Sequence, residues 1–243
     1  MAIMVIMEES RSDRFPAMSP THVSHPDRSS PRAPRSSARG RPSVTSHSAI
    51  EQVAFELFAE RGFEATTLSD IAEASGIAPR TLTRYYRSKN DIPWGQFDRT
   101  LAHFEELLAD TPTNLPLWAR VHRGVVLFNR FPDDAQPSHR ERMRLILRTP
   151  ALQAHSVPQY AHWREVIARF VATETGSAPG DRLPQLVGHV SLALAMTAYD
   201  QWLDHPDSSA DGSHPMVGLL DLLEESMTDL RSYLSPQPDG VQR

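Results

Sequence analysis

The stretch SAIEQVAFELFAERGFEATTLSDIAEASGIAPRTLTRYYRSKNDI, Ser48–Ile92, decides the fold. Ile50, Val53, Ala54, Leu57 and Phe58 recur at the spacing of one helix face, and Gly62 supplies a stop. A short second helix is predicted from Leu68 to Ser75, with Thr67 as its N-cap and Ile71 and Ala72 facing inward. Gly76 makes the turn. A third helix starts near Pro79, whose missing N–H costs nothing at a first helical position. Two short helices joined by a glycine-containing turn spell a helix-turn-helix, which lays its second helix in the major groove of DNA. Leu82 and Tyr86, four apart, face inward and hold that helix on Ile71 and Ile77.

Charge is distributed in the same sense. The 243 residues carry a net charge of −5, which taken alone argues against a nucleic-acid partner. Arg80–Lys89, however, holds four basic residues and no acid, while the acids of this region lie upstream, from Glu51 to Glu73. A local basic face of this kind can serve one groove of DNA on an acidic protein. A sequence-blind, histone-like protein would need a strong positive balance overall. The absence of cysteine excludes disulfide frameworks, zinc fingers, iron–sulfur clusters and thiol nucleophiles, and it fits a cytoplasmic setting. His139, His155, His162 and His189 have no metal-ligand spacing and no nucleophile motif occurs, so the chain reads neither as an enzyme nor as a metal protein. No apolar run approaches the roughly 20 residues of a membrane span. Met1–Met7 is apolar but is followed by Glu8 and Glu9; it reads neither as a signal peptide nor as a membrane anchor, and a misassigned start codon explains it equally well.

Proline, serine and arginine are interleaved through residues 10–48, and such a segment cannot bury enough apolar surface to order itself. Its five arginines from Arg28 to Arg41 make it either a solvated tail or an arm that reaches DNA phosphates or the minor groove. After the helix-turn-helix, helices are predicted at 90–110, 116–130, 137–148, 151–175, 182–204 and 215–234, with breaks at Thr111–Pro112, Phe131–Pro132, Gly176–Gly180 and over 206–215. No strand pattern appears, so an all-α chain of about nine helices is expected. Ser88 as N-cap with Asp91 would complete a capping box, and Pro93 would then kink the helix in its second turn; alternatively the helix begins near Asp91. Residues 186–199 (LVGHVSLALAMTAY) are apolar almost all round, which predicts burial on every face, against the chain's own core and a second subunit. The last helix sets Leu219, Leu220, Leu222, Leu223, Met227 and Leu230 against acids on its other side.

A helix, then G-[FY]-x-x-[TS]-T-[LVI]-x-x-IA-x-x-[AS]-G-[IV], then a short helix ending in aromatics and S-K-x-[DE]: on this pattern Ser48–Ile92 resembles the TetR family of ligand-responsive transcriptional regulators. SKNDIPWGQFD, FNRFPDD, RMRLILRTPALQAHS and AYDQWL are similar to the mycofactocin-system regulators within that family. The resemblance implies a tail over 1–45, a DNA-binding domain over 46–91, a ligand-binding and dimerisation domain over 92–235 and a disordered end over 236–243. It implies a homodimer on a pseudo-palindromic double-stranded operator, released by a small-molecule effector, with no cofactor and no membrane. Arg80, Thr83 and Arg84 fall at base-reading positions; arginine favours guanine, so GC-containing half-sites are expected. Thr81, Tyr85 and Lys89 fall at phosphate-contacting positions, and Thr67 and Ser69 at the start of the second helix, where N–H and hydroxyl groups meet phosphate. The implied pocket draws on the large apolar residues of the later helices, Phe128, Leu147, Tyr160, Trp163 and Met196 among them. Arg140, Arg144 and Arg148 form either a solvated face or a basic mouth for an anionic ligand group. Acyl-coenzyme A thioesters are the implied effectors and repression the implied outcome; an unrelated hydrophobic drug or lipid, or activation, is the alternative.

Overall fold

The computed structural model describes residues 46–132, 134–205 and 218–235. The tail over 1–45 with its arginine arm, the break at 206–215, the first residues of the predicted last helix and the segment 236–243 lie outside the described residues. Among those described there are nine α-helices, one 3-10 turn and no strand.

The first three helices form as their sequence dictates. α1 (His47–Arg61) is capped by the Ser46 side chain, which accepts from the Ala49 N–H, and it ends at Gly62 with φ +84°. α2 (Leu68–Ala74) opens with a reciprocal capping box between Thr67 and Asp70. Gly76, φ +67°, turns the chain, and α3 (Pro79–Tyr85) starts with Pro79 in its first turn. Ile50, Ala54, Phe58, Phe63, Ile71 and Leu82 close a small core. Leu152, fully buried in that same core, arrives from α7 (Pro150–Thr175). The three-helix module is therefore built onto a helix that lies further along the chain.

The predicted helix over 90–110 is two pieces. Ser88 and Asp91 form the expected capping box, but the segment they cap is a 3-10 turn, Lys89–Trp94. Pro93 has no N–H to continue a helical ladder, and Gly95, φ +58°, turns the chain away before α4 (Phe97–Ala109) begins. Neither a kinked helix nor a start near Asp91 describes this break. The remaining helices match their predicted ranges to within a few residues: α5 (Leu117–Phe128), α6 (His139–Arg148, capped by Ser138 and Glu141), α7, α8 (Arg182–Asp204) and α9 (Leu219–Leu234).

α4, α5 and α7 pack together, with α8 and α9 laid alongside. Phe104, Phe128 and Trp163 stack at the centre of their core, ring centroids 4.5 and 5.3 Å apart. α7 and α8 cross closely at Gly188, where an added Cβ would meet the Arg164 carbonyl oxygen at 2.9 Å. Within the single chain, α8 is buried on one side. Its inner side buries Ser191, Ala195, Ala198 and Tyr199, while Leu183 and Leu186 stand more than half exposed, beside a groove shared with α5 and α9. The apolar periphery of α8 is thus half spent on the chain's own core and half left facing outward.

Candidate functional site

Two features carry chemistry: the outer side of α3 and a cavity in the second domain. On α3, Leu82 is fully buried, and Arg80, Thr83 and Arg84 are exposed around it. Thr83 donates to the Arg80 carbonyl (3.0 Å), which fixes its side chain along the helix. Thr81 is half-buried, and the Tyr85 ring packs edge-on to His47, centroids 4.8 Å apart. Ser69 is exposed in the first turn of α2. The Thr67 hydroxyl is spent on the cap: it accepts from the Asp70 N–H and donates to the Asp70 carboxylate (2.7 Å). The hydroxyl's hydrogen bond and a second from the Thr67 backbone N–H (2.8 Å) hold the Asp70 carboxyl below its ordinary range.

Lys89 corrects an expectation. Its ammonium donates to the carbonyls of Phe63 (2.7 Å), Glu64 (3.0 Å) and Thr66 (3.0 Å) and lies 4.6 Å from the Phe63 ring centroid. An ammonium has three hydrogens and all three are used within the chain. Lys89 is a staple that ties the 3-10 turn to the loop between α1 and α2, not a free phosphate contact. Lys89→Ala should therefore lower stability by about 2 kcal/mol, in the range of hydrogen bonds to a charged group. Thermal melts check this, and an unchanged melting temperature with weakened DNA binding would restore the phosphate role.

The cavity lies between the 3-10 turn and helices α4–α8 and measures about 100 Å³. Phe128, Tyr160, Trp163 and Met196 line it as expected. Leu147 does not; it packs at the margin of the core. Arg140, Arg144 and Arg148 are not in its wall either. Arg140 lies on the Trp202 ring, 4.9 Å from its centroid, and bonds the His205 carbonyl. Arg148 pairs with Asp204 (2.7 Å) and Asp200 (3.4 Å) on α8. Arg144 borders a separate shallow groove beside α1. The four-residue spacing did put the three on one side of α6, but the inward side is that of Arg142, Met143 and Ile146. The arginine that reaches the cavity is Arg142, in phase with two apolar neighbours; that phase was the available signal, and it was missed.

Arg142 has two buried partners. It donates to the Pro93 carbonyl (2.6 Å) and to Glu51 of α1 (2.8 Å), a carboxylate with no solvent exposure. The other Glu51 oxygen accepts from the Tyr86 hydroxyl (2.6 Å). Burial, then the Glu51 charge, pushes the Tyr86 hydroxyl pKa far up, so it stays a donor. Gly95 makes room for this arrangement, since a Cβ there would lie 3.1 Å from the Glu51 carboxylate. Elsewhere in the cavity wall the Trp94 indole N–H is buried without a hydrogen-bond partner.

His139, also in the wall, stacks on Phe131 (centroids 3.7 Å) and meets the Tyr199 hydroxyl through Nε2 (2.8 Å). Tyr199 donates onward to Asn129, whose amide N–H₂ is fixed on the Val125 carbonyl, so His139 Nε2 must be the donor. Burial, then the nearby Arg142 charge, holds the His139 pKa well below its ordinary 6.5. The unfolded chain takes up a proton below pH 6.5 that the folded chain refuses, so stability is full above that pH and falls as pH drops through it. The slope from His139 should be about 1.4 kcal/mol per pH unit. His139→Phe should flatten the decline between pH 6.5 and 5.5 without abolishing it, because burial also lowers His47 and His122. An unaltered slope in thermal melts would contradict the assignment.

Among the described residues no group of His, Asp or Glu is placed to hold a metal ion, and no helix is long and apolar enough to cross a membrane. An exposed helix on a helix-turn-helix, backed by a helical domain with an internal cavity, is the architecture of a DNA-binding regulator. The chain belongs to the TetR family of transcriptional regulators. Residues 50–92 match the family described as bacterial regulatory proteins, tetR family, and residues 115–235 match the MftR C-terminal domain. The chain is 46% identical over 170 residues to MftR of Mycobacterium tuberculosis, whose name assigns it to the regulation of mycofactocin biosynthesis; the match covers 70% of this chain and 86% of that protein. It is 27% identical over 167 residues to the HTH-type transcriptional regulator TcmR of Streptomyces glaucescens, covering 65% and 73% of the two. The crystal structure of Thermus thermophilus FadR, a TetR-family repressor in complex with lauroyl-CoA, superposes with a TM-score of 0.51 at 18% identity, over 82% of this chain and all of that one, a likeness of fold.

Proposed function

We propose that the chain is a cytoplasmic, non-catalytic repressor that binds a pseudo-palindromic double-stranded operator as a homodimer and releases it when a hydrophobic effector occupies the cavity. The reading rests on one observation above all: the elements that wall the cavity are continuous with those that seat the reading helix. Pro93 and Trp94 belong to the turn that follows α3, and α7 supplies both Trp163 to the cavity and Leu152 to the DNA-binding core. Arg80, Thr83 and Arg84 read base edges, while Thr81, Tyr85, Ser69 and the backbone N–H groups opening α2 meet phosphate. Leu183 and Leu186 of α8, with Leu234 of α9, supply the apolar face on which a second subunit docks.

The effector has a largely apolar body. An acyl-coenzyme A thioester is the family-implied candidate, and FadR, of the same fold, is seen with lauroyl-CoA. A cavity of about 100 Å³ is smaller than the roughly 150 Å³ that holds a benzene. A long acyl chain therefore enters only as the helices around the cavity part, and that parting is what changes the separation of the two reading helices. The phosphates of coenzyme A would have to be met by groups other than Arg140 and Arg148, which are engaged with α8 and its C-terminal end.

The test is release of an operator, selected from a random duplex pool, by lauroyl-CoA, butyryl-CoA and free coenzyme A. Buried methylenes contribute about 0.8 kcal/mol each before ordering costs, so release at micromolar concentration is expected for the lauroyl thioester alone. Equal release by all three would remove the apolar cavity from the account.

A further inference from the structure

The Arg142–Glu51–Tyr86 chain joins three elements that otherwise have separate tasks. Arg142 sits on α6 in the cavity wall, Glu51 on α1, and Tyr86 is the residue that caps α3. Each link is short, 2.8 Å and 2.6 Å, and the carboxylate at its centre is sealed from water. Arg142 also holds the Pro93 carbonyl, so the same guanidinium fixes the turn that leaves α3. His47, at the start of α1, approaches the Tyr86 hydroxyl from the other side (3.1 Å). A buried carboxylate with one partner from each domain has no third arrangement open to it: it keeps both partners, or it loses one and must move.

Resting on the regulatory reading above, we propose that Arg142 is the positioning residue through which cavity occupancy reaches the DNA-reading helix. Arg142 and Pro93, whose carbonyl its guanidinium holds, both stand in the wall that an occupant meets. An occupant that displaces Arg142, or draws it onto an acceptor of its own, frees Glu51 to move away from the Tyr86 hydroxyl, and the C-terminal end of α3 loses a contact that ties it to α1.

Double-mutant cycles on operator affinity test this, at a temperature where every variant is folded by circular dichroism. Arg142→Lys keeps the positive charge but cannot span both Pro93 and Glu51 with one planar fork. It should weaken operator binding about tenfold, and Tyr86→Phe about threefold. The double variant should be no weaker than Arg142→Lys alone, because the two act through the same carboxylate. Ala195→Leu, which adds volume to the cavity from α8, should weaken binding in the wild type and add little in Arg142→Lys. If Arg142→Lys does not fold, Glu51→Gln with Arg142→Met, which leaves no buried charge, takes its place in the cycle. Multiplicative effects of Arg142→Lys and Tyr86→Phe, or a lowered melting temperature with unchanged operator affinity, would make Arg142 a purely structural residue. A cavity-filled wild type that binds operator normally would sever the link to the cavity. A wild type that selects no operator at all would instead overturn the regulatory reading itself.

Discussion

Arg142→Met should lower the free energy of unfolding by about 3–5 kcal/mol, the usual consequence of stranding one half of a buried ion pair. For an ordered body of this size that is roughly 10 °C in melting temperature. The loss comes less from the missing attraction than from Glu51, left charged and without solvent exposure beside the Phe55 ring on which Arg142 also rests. Glu51→Leu paired with Arg142→Met should recover part of the loss, because no charge is left buried, while the Tyr86 hydroxyl and the Pro93 carbonyl each lose a partner. A single Arg142→Met variant that melts within 2 °C of the wild type would show that the pair is not closed as described.

Much of this fold was legible from local rules. The caps at Thr67 and Ser88, the proline opening α3 and the glycines at 62 and 76 all stand where the sequence puts them. These are interactions within four residues of chain, and their energetics do not depend on what packs around them. That Arg80, Thr83 and Arg84 face outward was legible for a related reason: the buried Leu82 and Tyr86 fix which side of a two-turn helix faces out.

What escaped was set by partners distant in sequence. Lys89 is basic and lies near the reading helix, yet its hydrogens go to carbonyls 23 to 26 residues upstream. Spacing alone put Arg140, Arg144 and Arg148 on one face, but which face points inward depends on α7 and α8, where Asp200 and Asp204 wait for Arg148. Pro93 announced a break without giving its form, because the outcome turned on the space Gly95 leaves for a carboxylate 44 residues earlier. Charged side chains betray their orientation poorly, since a solvated face and a buried pair use the same residues.

The second large effect concerns recognition. Arg80→Ala and Arg84→Ala should each cost about 1–3 kcal/mol in operator binding and relax the preference at one base pair of each half-site. In a twofold dimer the same side chain is lost from both half-sites, so each substitution acts twice on one operator, and the fall can exceed a hundredfold. Neither should alter the melting temperature by more than a degree or two, because both side chains are exposed and the core beneath them rests on Leu82.

The most direct measurement is therefore a binding titration of wild type, Arg80→Ala and Arg84→Ala on the selected operator and on a shuffled duplex of equal length and salt. Reading by α3 predicts that the wild type prefers the operator by at least about a thousandfold. It also predicts that each alanine variant loses affinity for the operator while holding the shuffled duplex nearly as well as before. Equal losses on both duplexes would show that these arginines supply charge alone, and sequence reading by α3 would be contradicted.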